Sequence, residues 1–272
     1  MLHSRILANK VVAITGCSSG IGRATALECA RHGARIVLHH IGNSQSQGDI
    51  TSLKSELDTI HQETNIVSHY GKGERYVAIG ADTTDPAAGQ SIVQAAVGAF
   101  GTVDALVHNA GICQFADFHA VTREQLGRHM AVNFTGPFHL TQAVTEQIIT
   151  QKSGGSIVTI ASITATLGSS QLTHYSPTKA ALLGMTYSCA VALGPHGIRF
   201  NAVSPGTTET AMNKRDLEAG GKRAVMESRV PLGRLGKPLD IASPVVFFLS
   251  DLSRYVTGQN LIIDGGASIN YQ

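Results

Sequence analysis

Val11-Val12-Ala13-Ile14-Thr15-Gly16-Cys17-Ser18-Ser19-Gly20-Ile21-Gly22 is the stretch from which the fold can be read. Four apolar residues run without alternation, as in a strand buried on both faces of a parallel sheet. A glycine-rich turn of spacing GxxxGxG follows. Ile21, Ala24, Leu27 and Ala30 then mark one face of a helix that stops at Gly33. Glycines at a strand-to-helix turn let the backbone approach a phosphate, and the helix N-terminus adds free N–H groups and the positive end of its dipole. This reading assigns Gly16, Ser18, Ser19, Gly20, Ile21 and Gly22 to a phosphate cradle. Taken alone, the pattern also suits a plain strand–helix turn.

Working outward, short β-rich runs recur at 35–38, 76–79, 105–107, 156–160, 198–203 and 261–263. Helix-length segments separate them; Ile50, Leu53, Leu57 and Ile60 mark one by their spacing. Strand alternating with helix predicts a single-domain, doubly wound (Rossmann-type) α/β fold, with helices on both faces of a parallel sheet. No linker divides residues 1–272. The polar stretch 42–49 reads as a surface loop and 64–75 as a polar connector. The segment 207–231 is rich in charge and glycine and breaks the rhythm after the sixth run, where ligands of open α/β sheets bind. It is the candidate for a mobile lid over a substrate.

Composition narrows the function. The chain has 272 residues, 43% hydrophobic and 15% charged, with a net charge of +2. That is an ordinary soluble domain with no electrostatic case for nucleic acid or an anionic membrane as partner. The first residues lack the apolar run of a signal peptide, and no apolar stretch reaches membrane-spanning length. Cys17, Cys29, Cys113 and Cys189 form no CxxC pair and suit neither a disulfide framework nor a zinc site. They predict free thiols in a reducing, cytoplasmic setting. His39 and His40 are strand neighbours that point to opposite faces, which argues against a shared metal. No metal site is expected.

Three further positions sit at strand ends. Asp82 follows the third run, where a carboxylate could accept from an adenine amine or cap a turn. Asn109-Ala110-Gly111 follows the fourth, where small residues keep a crevice open. The Asn109 amide could tie two strands together or meet the ligand. Ser162 follows the fifth.

The chemistry lies in Ser162 together with Tyr175-Ser176-Pro177-Thr178-Lys179. A spacing of four puts Tyr175 and Lys179 on one helix face. A free tyrosine titrates near ~10, and a neighbouring ammonium favours its phenolate. Tyr175 could then exchange a proton with a substrate oxygen while Ser162 steadies that oxygen.

With these residues in place, the chain resembles the short-chain dehydrogenase/reductase family from Lys10 to Gly266. The resemblance rests on the glycine turn, Asn109-Ala110-Gly111, Asn133, Ser162, Tyr175 to Lys179, Pro205-Gly206 and Asp264-Gly265-Gly266. It implies a seven-stranded parallel sheet, hydride transfer at a nicotinamide ring, and a homo-oligomer, dimer or tetramer. It implies that Lys179 and Tyr175 also contact the nicotinamide ribose, that Asn133 holds a water beside the lysine, and that Pro205-Gly206-Thr207 meets the carboxamide. From the residues, Asn133 also reads as a polar group kinking its helix through a backbone bond. The family usually has asparagine where this chain has His108.

The cofactor is NAD or NADP. The second strand ends in His39-His40-Ile41, without the acidic residue that takes the ribose hydroxyls in NAD enzymes. Ser19 stands where NADP enzymes often have a basic residue, and Arg23 serves the helix. His39 is assigned to the cofactor by position.

For the substrate, residues 173–179, 193–199, 205–212 and 231–234 resemble fungal and bacterial sugar dehydrogenases that oxidise L-rhamnose at C1. Thr164, Gln171, Thr173 and His174 near Ser162 and Tyr175 could hydrogen-bond several hydroxyls, or be loop polars facing water. Two other readings stand beside this one. The first is a carbonyl reductase of a ketoacyl, polyketide or steroid-like substrate, with a wider apolar pocket. The second is a catalytically inactive nucleotide-binding regulator, against which the intact Ser162, Tyr175, Lys179 and Asn133 argue.

Overall fold

The computed structural model describes residues 5–63 and 74–270. The first four residues and all but the last two of the connector 64–75 lie outside the described residues. In chain order the elements are β1 (Val11–Ile14), α1 (Gly20–Arg31), β2 (Arg35–His40), α2 (Ser44–Glu63), β3 (Tyr76–Gly80), α3 (Ala88–Phe100) and β4 (Ala105–His108). Then follow α4 (Arg123–Met130), a π-helical turn (Ala131–Thr135), α5 (Gly136–Gln151), β5 (Gly155–Ile160), α6 (Ser176–Leu193) and β6 (Ile198–Pro205). The chain closes with α7 (Lys214–Glu218), α8 (Lys222–Ser228), α9 (Pro238–Leu249) and β7 (Asn260–Ile263).

The seven strands form one parallel sheet, as expected, and their order is β3-β2-β1-β4-β5-β6-β7. Parallel pairing requires a crossover after each strand, and the helices supply it. Because side chains alternate along a strand, β1 feeds two cores. Val12 and Ile14 pack with Ala26, Leu53, Leu57 and Val245 of α1, α2 and α9. Val11 and Ala13 pack with Ile92, Val144 and Met185 of α3, α5 and α6. Each Val, Leu, Ile or Met among them contributes ~1.5–3 kcal/mol on burial, and two covered faces explain the absence of alternation in β1.

Two local readings change. Residues 44–49 are helical rather than loop: Asn43 Oδ1 accepts from the Ser46 N–H at 2.9 Å and starts α2 early. Arg23 then ties α1 to α2 through the Asp49 carbonyl, Ser52 and Glu56. β4 also extends past its apolar run into His108, and β2 carries the strand neighbours His39 and His40 to its end. These polar residues stay in the sheet because their rings find partners. His40 Nδ1 lies 3.0 Å from Ser46 Oγ, and His108 Nε2 lies 2.8 Å from Thr141 Oγ1. Among the described residues no helix is long and apolar enough to cross a membrane, and no group of three metal-ligating side chains comes together. All four cysteines are free.

The buried histidines set a pH dependence. Burial lowers His39 and His61 to about 4 and His108 to about 3. In the unfolded chain each takes a proton near ~6.5, whereas the folded rings stay neutral. Their contribution to stability is therefore complete above pH 6.5 and is lost as the pH falls toward about 4. Urea unfolding between pH 7.5 and 4 should show a falling midpoint, with a shallower slope in His108→Gln. A midpoint independent of pH would contradict this.

Candidate active site

All seven strands point their carboxyl ends to the same edge. The connections from β1 and β4 leave on opposite sides, so a crevice opens between them. It forms a cavity of about 880 Å³ running from His39 and Asp82, past the glycine turn, to Ser162, Tyr175, Lys179 and the segment after β6.

Gly16 and Gly20 adopt φ of +64° and +55°, which favour glycine. No side chain caps α1, so its first N–H groups remain available to an anion. Gly22 has a different task. A Cβ there would stand 2.4 Å from Asn109 Nδ2 and 2.5 Å from the Gly16 carbonyl oxygen, so its bareness makes room for Asn109. Asn109 Nδ2 donates to the carbonyls of Thr15 and Gly16 at 3.0 and 2.9 Å. Thr15 Oγ1 accepts from the Asn109 and Ala110 N–H groups. The strand-tying reading of Asn109 holds, and the residue lines the cavity as well. Asp82 likewise does both: Oδ1 accepts from the N–H and hydroxyl of Thr84, which holds the carboxyl below its ordinary value, and the residue lines the cavity wall.

His39 is buried beneath the turn, where Nδ1 accepts from the Gly16 N–H at 3.3 Å. That bond puts the ring proton on Nε2.

Ser162, Tyr175 and Lys179, expected to form the acid–base set, line the same part of the cavity. Ser162 Oγ accepts from the N–H and Oγ1 of Thr164 at 3.1 and 3.0 Å, which orients it. Lys179 is buried, and its Nζ donates to the Ile160 carbonyl at the end of β5 at 2.8 Å and lies 5.6 Å from the centre of the Tyr175 ring. Asn133 sits in the π turn. Its Oδ1 accepts from the Ile112 N–H, and its Nδ2 donates to the Ile112 carbonyl and to Thr178 Oγ1. The asparagine thus pins its helix to the loop after β4 and to the helix of Tyr175 and Lys179.

The electrostatics differ from expectation. Burial pushes the Tyr175 phenol above its ordinary value, and Ser162 pulls it back only in part. Burial also lowers Lys179 to about 8, against a weaker pull from Cys113 in the other direction. Desolvation thus outweighs the help that the ammonium gives the phenolate.

At the far end Thr164 and Gln171 line the cavity, and Gln171 Nε2 donates to Asp117 at 3.2 Å. His174 does not join them. It is buried, its Nε2 faces Gln125 Nε2, and it is not part of the cavity wall. Spacing alone could not tell that a polar residue beside Tyr175 turns inward. Cys113, Phe115 and Arg128 line the cavity without having been read as site residues, and Thr210, Asp216 and Lys222 line it from within the segment 207–231 expected as the lid. They come from loops and short helices with no local motif. Lys222 Nζ bonds Asp216 at 2.5 Å and sits 4.8 Å from the centre of the Phe115 ring, joining the segment after β6 to the opposite wall.

The cleft fits an extended dinucleotide. The uncapped start of α1 and the bare Gly16 and Gly20 suit a pyrophosphate. Asp82 and His39 stand at one end for an adenosine, and Tyr175, Lys179 and Pro205-Gly206-Thr207 at the other for a second nucleoside.

The family described as enoyl-(acyl carrier protein) reductase matches residues 16–268. An L-rhamnose 1-dehydrogenase (NAD(P)(+)) of Azotobacter vinelandii is 47% identical over 267 residues, 98% of this chain and 100% of the relative. An L-rhamnose-1-dehydrogenase of Scheffersomyces stipitis is 43% identical, over 98% of this chain and 99% of its own. Among solved structures, a short-chain type dehydrogenase/reductase from Mycobacterium marinum superposes with a TM-score of 0.86 at 30% identity, covering 97% of each chain.

The packing around Gly22 yields a test. Gly22→Ala should displace Asn109 and open the junction of β1 and β4. A lower melting temperature and at least a tenfold loss of reduced-nicotinamide affinity, followed by its fluorescence, are expected. Unchanged affinity would detach the Asn109 junction from the phosphate cradle.

Proposed function

Since the chain belongs to the short-chain dehydrogenase/reductase family, an NAD(P)-dependent oxidoreductase acting on CH–OH, we propose that it oxidises L-rhamnose, or a close aldose, at C1 to the lactone. The observation that carries this reading is full-length similarity to L-rhamnose 1-dehydrogenases, at 47% and 43% identity, in a chain whose acid–base residues are all in place.

Bound along the cleft, the nicotinamide ring supplies the acceptor for the hydride that leaves C1. The protein does the rest. Ser162, oriented by Thr164, holds the C1 oxygen together with the Tyr175 hydroxyl. Tyr175 takes the hydroxyl proton as the C1–H bond breaks and the carbonyl of the lactone forms. Lys179 favours the phenolate that must form first and holds the cofactor ribose, and Asn133 passes the proton on toward water. Thr164 and Gln171 meet further sugar hydroxyls; a substrate without them leaves polar groups unpaired. The segment 207–231 acts as the lid, with Lys222 against Phe115 as its contact across the mouth.

The protein works as a homo-oligomer, a dimer or tetramer, in the cytoplasm. Exposed Phe138, Tyr187 and Val191 on α5 and α6 support the first statement, and four free thiols the second.

The test is a panel of L-rhamnose, neighbouring aldoses and simple ketones with NAD and NADP. L-Rhamnose should be oxidised; failure of every aldose beside brisk ketone reduction would replace the sugar reading with the carbonyl-reductase one. Tyr175→Phe should lower kcat by ~10²-fold or more with cofactor affinity unchanged, whereas Lys179→Met should lower both. Because burial holds the Tyr175 phenol protonated at neutral pH, the oxidation rate should climb from pH 7 into the alkaline range, and a flat profile would exclude Tyr175 as the limiting base.

A further inference from the structure

Two buried histidines stand beside the acid–base centre without entering its cavity. His129 ends the last turn of α4 and is 0% exposed; His174, 1% exposed, directly precedes Tyr175. Their rings meet edge to face, with centroids 4.4 Å apart and planes at 88°.

Gln125 joins the two. Its backbone carbonyl can only accept, so His129 Nδ1, 2.8 Å away, carries the proton and donates. Its side-chain nitrogen donates to His174 Nε2 at 3.3 Å, which leaves the proton of that ring on Nδ1. The Gln125 N–H in turn donates to Thr122 Oγ1, the cap of α4. Gln125 is therefore held through its backbone and spends its side chain on His174.

The arrangement ties α4 to the turn carrying Tyr175. The same helix continues through the π turn to Asn133, whose Nδ2 donates to Thr178 Oγ1 at 3.1 Å. Thr178 Oγ1 donates to the Tyr175 carbonyl at 2.7 Å. Tyr175 is thus gripped twice from one helix, on its N-terminal side through His174 and on its C-terminal side through Asn133 and Thr178.

The choice of residues is costly as packing. His129 Nε2 is buried without a hydrogen-bond partner, and burial lowers His174 against the pull of the Gln114 carbonyl; an apolar pair of the same shape would avoid those penalties. What imidazoles and an amide offer instead is direction, because a hydrogen-bonded ring holds one orientation where an apolar one can slide.

We propose that Gln125, His129 and His174 form a positioning brace that keeps the Tyr175 hydroxyl beside Ser162. This rests on Tyr175 being the acid–base group. The brace touches neither substrate nor cofactor; it acts through the backbone that carries the tyrosine. Its loss should therefore slow the chemical step and leave ligand binding alone.

The experiment measures kcat, KM and the dissociation constant of the reduced cofactor for four variants, with the best substrate of the panel. Gln125→Leu, on the half-buried flank of α4, removes the donor to His174 with little change of volume. His174→Phe keeps the ring contact but removes the acceptor. His174→Gln returns an acceptor near the same place, and Tyr175→Phe is the reference. Gln125→Leu and His174→Phe should each lose about tenfold in kcat, with KM and cofactor affinity within twofold of the parent, and His174→Gln should recover to within about threefold. Unchanged kcat in Gln125→Leu would overturn the brace. So would kcat, KM and cofactor affinity worsening together, the signature of general loosening. Turnover retained by Tyr175→Phe would instead overturn the acid–base assignment on which the brace depends.

Discussion

The side-chain amide of Asn109 donates to the carbonyls of Thr15 and Gly16 across the junction of β1 and β4, and Thr15 Oγ1 accepts two N–H groups in return. Both strands end there, and the chain leaves them toward opposite faces, so the sheet has no backbone pairing of its own beyond the last rung. Without that side-chain cluster the glycine turn would have carbonyls facing a cleft with nothing to hold them, and an unpaired backbone group in a partly buried site is costly. Gly22 must be bare for Asn109 to reach, and Gly16 must be bare because a Cβ would stand 2.9 Å from Ala110 Cα. The glycines of the turn thus serve two ends: some let a phosphate approach, and others let the protein close on itself so that the cradle keeps its shape.

A similar economy governs the acid–base centre. Lys179 enters the protein interior because the Ile160 carbonyl, freed at the end of β5, receives its ammonium. Burial that lowers the lysine also raises the tyrosine, so the two do not form a ready ion pair. Asn133, Ser162 and Thr164 hold the surroundings of the pair through their own hydrogen bonds.

The sheet was legible because the five inner strands are buried on both faces, which leaves unbroken apolar runs, and because parallel pairing demands helices in between. Its ends were not. His108 looks like a turn residue until its bond to Thr141, which keeps it in the sheet, is visible. The stretch 42–49 read as loop because its polarity outweighed a helix start that depends on one side-chain bond from Asn43. Tyr175, Lys179 and Ser162 were legible because helical spacing and strand ends place them with little help from tertiary structure. His174 was not, since a polar residue next to the tyrosine can face the cavity or the interior, and only the position of α4 decides. The walls contributed by Phe115, Arg128 and Lys222 depend on the paths of long connections, which no local pattern encodes.

The end of β2 shows how one residue can serve the fold and leave a ligand choice open. Family members that favour NAD use a carboxylate there, which takes the ribose hydroxyls and repels a 2′-phosphate. In this chain the place belongs to His39, neutral because burial lowers it to about 4 and bound to the Gly16 N–H. A neutral ring offers no charge to repel the phosphate and none to require it. Arg23, the first cation after the glycine turn, is occupied with the Ser18 and Asp49 carbonyls, Ser52 and Glu56. The end of β2 thus presents no charge of its own with which to select NAD or NADP. The same histidine that buttresses the glycine turn therefore leaves both cofactors admissible, because a ring used as a structural acceptor has no charge left with which to discriminate.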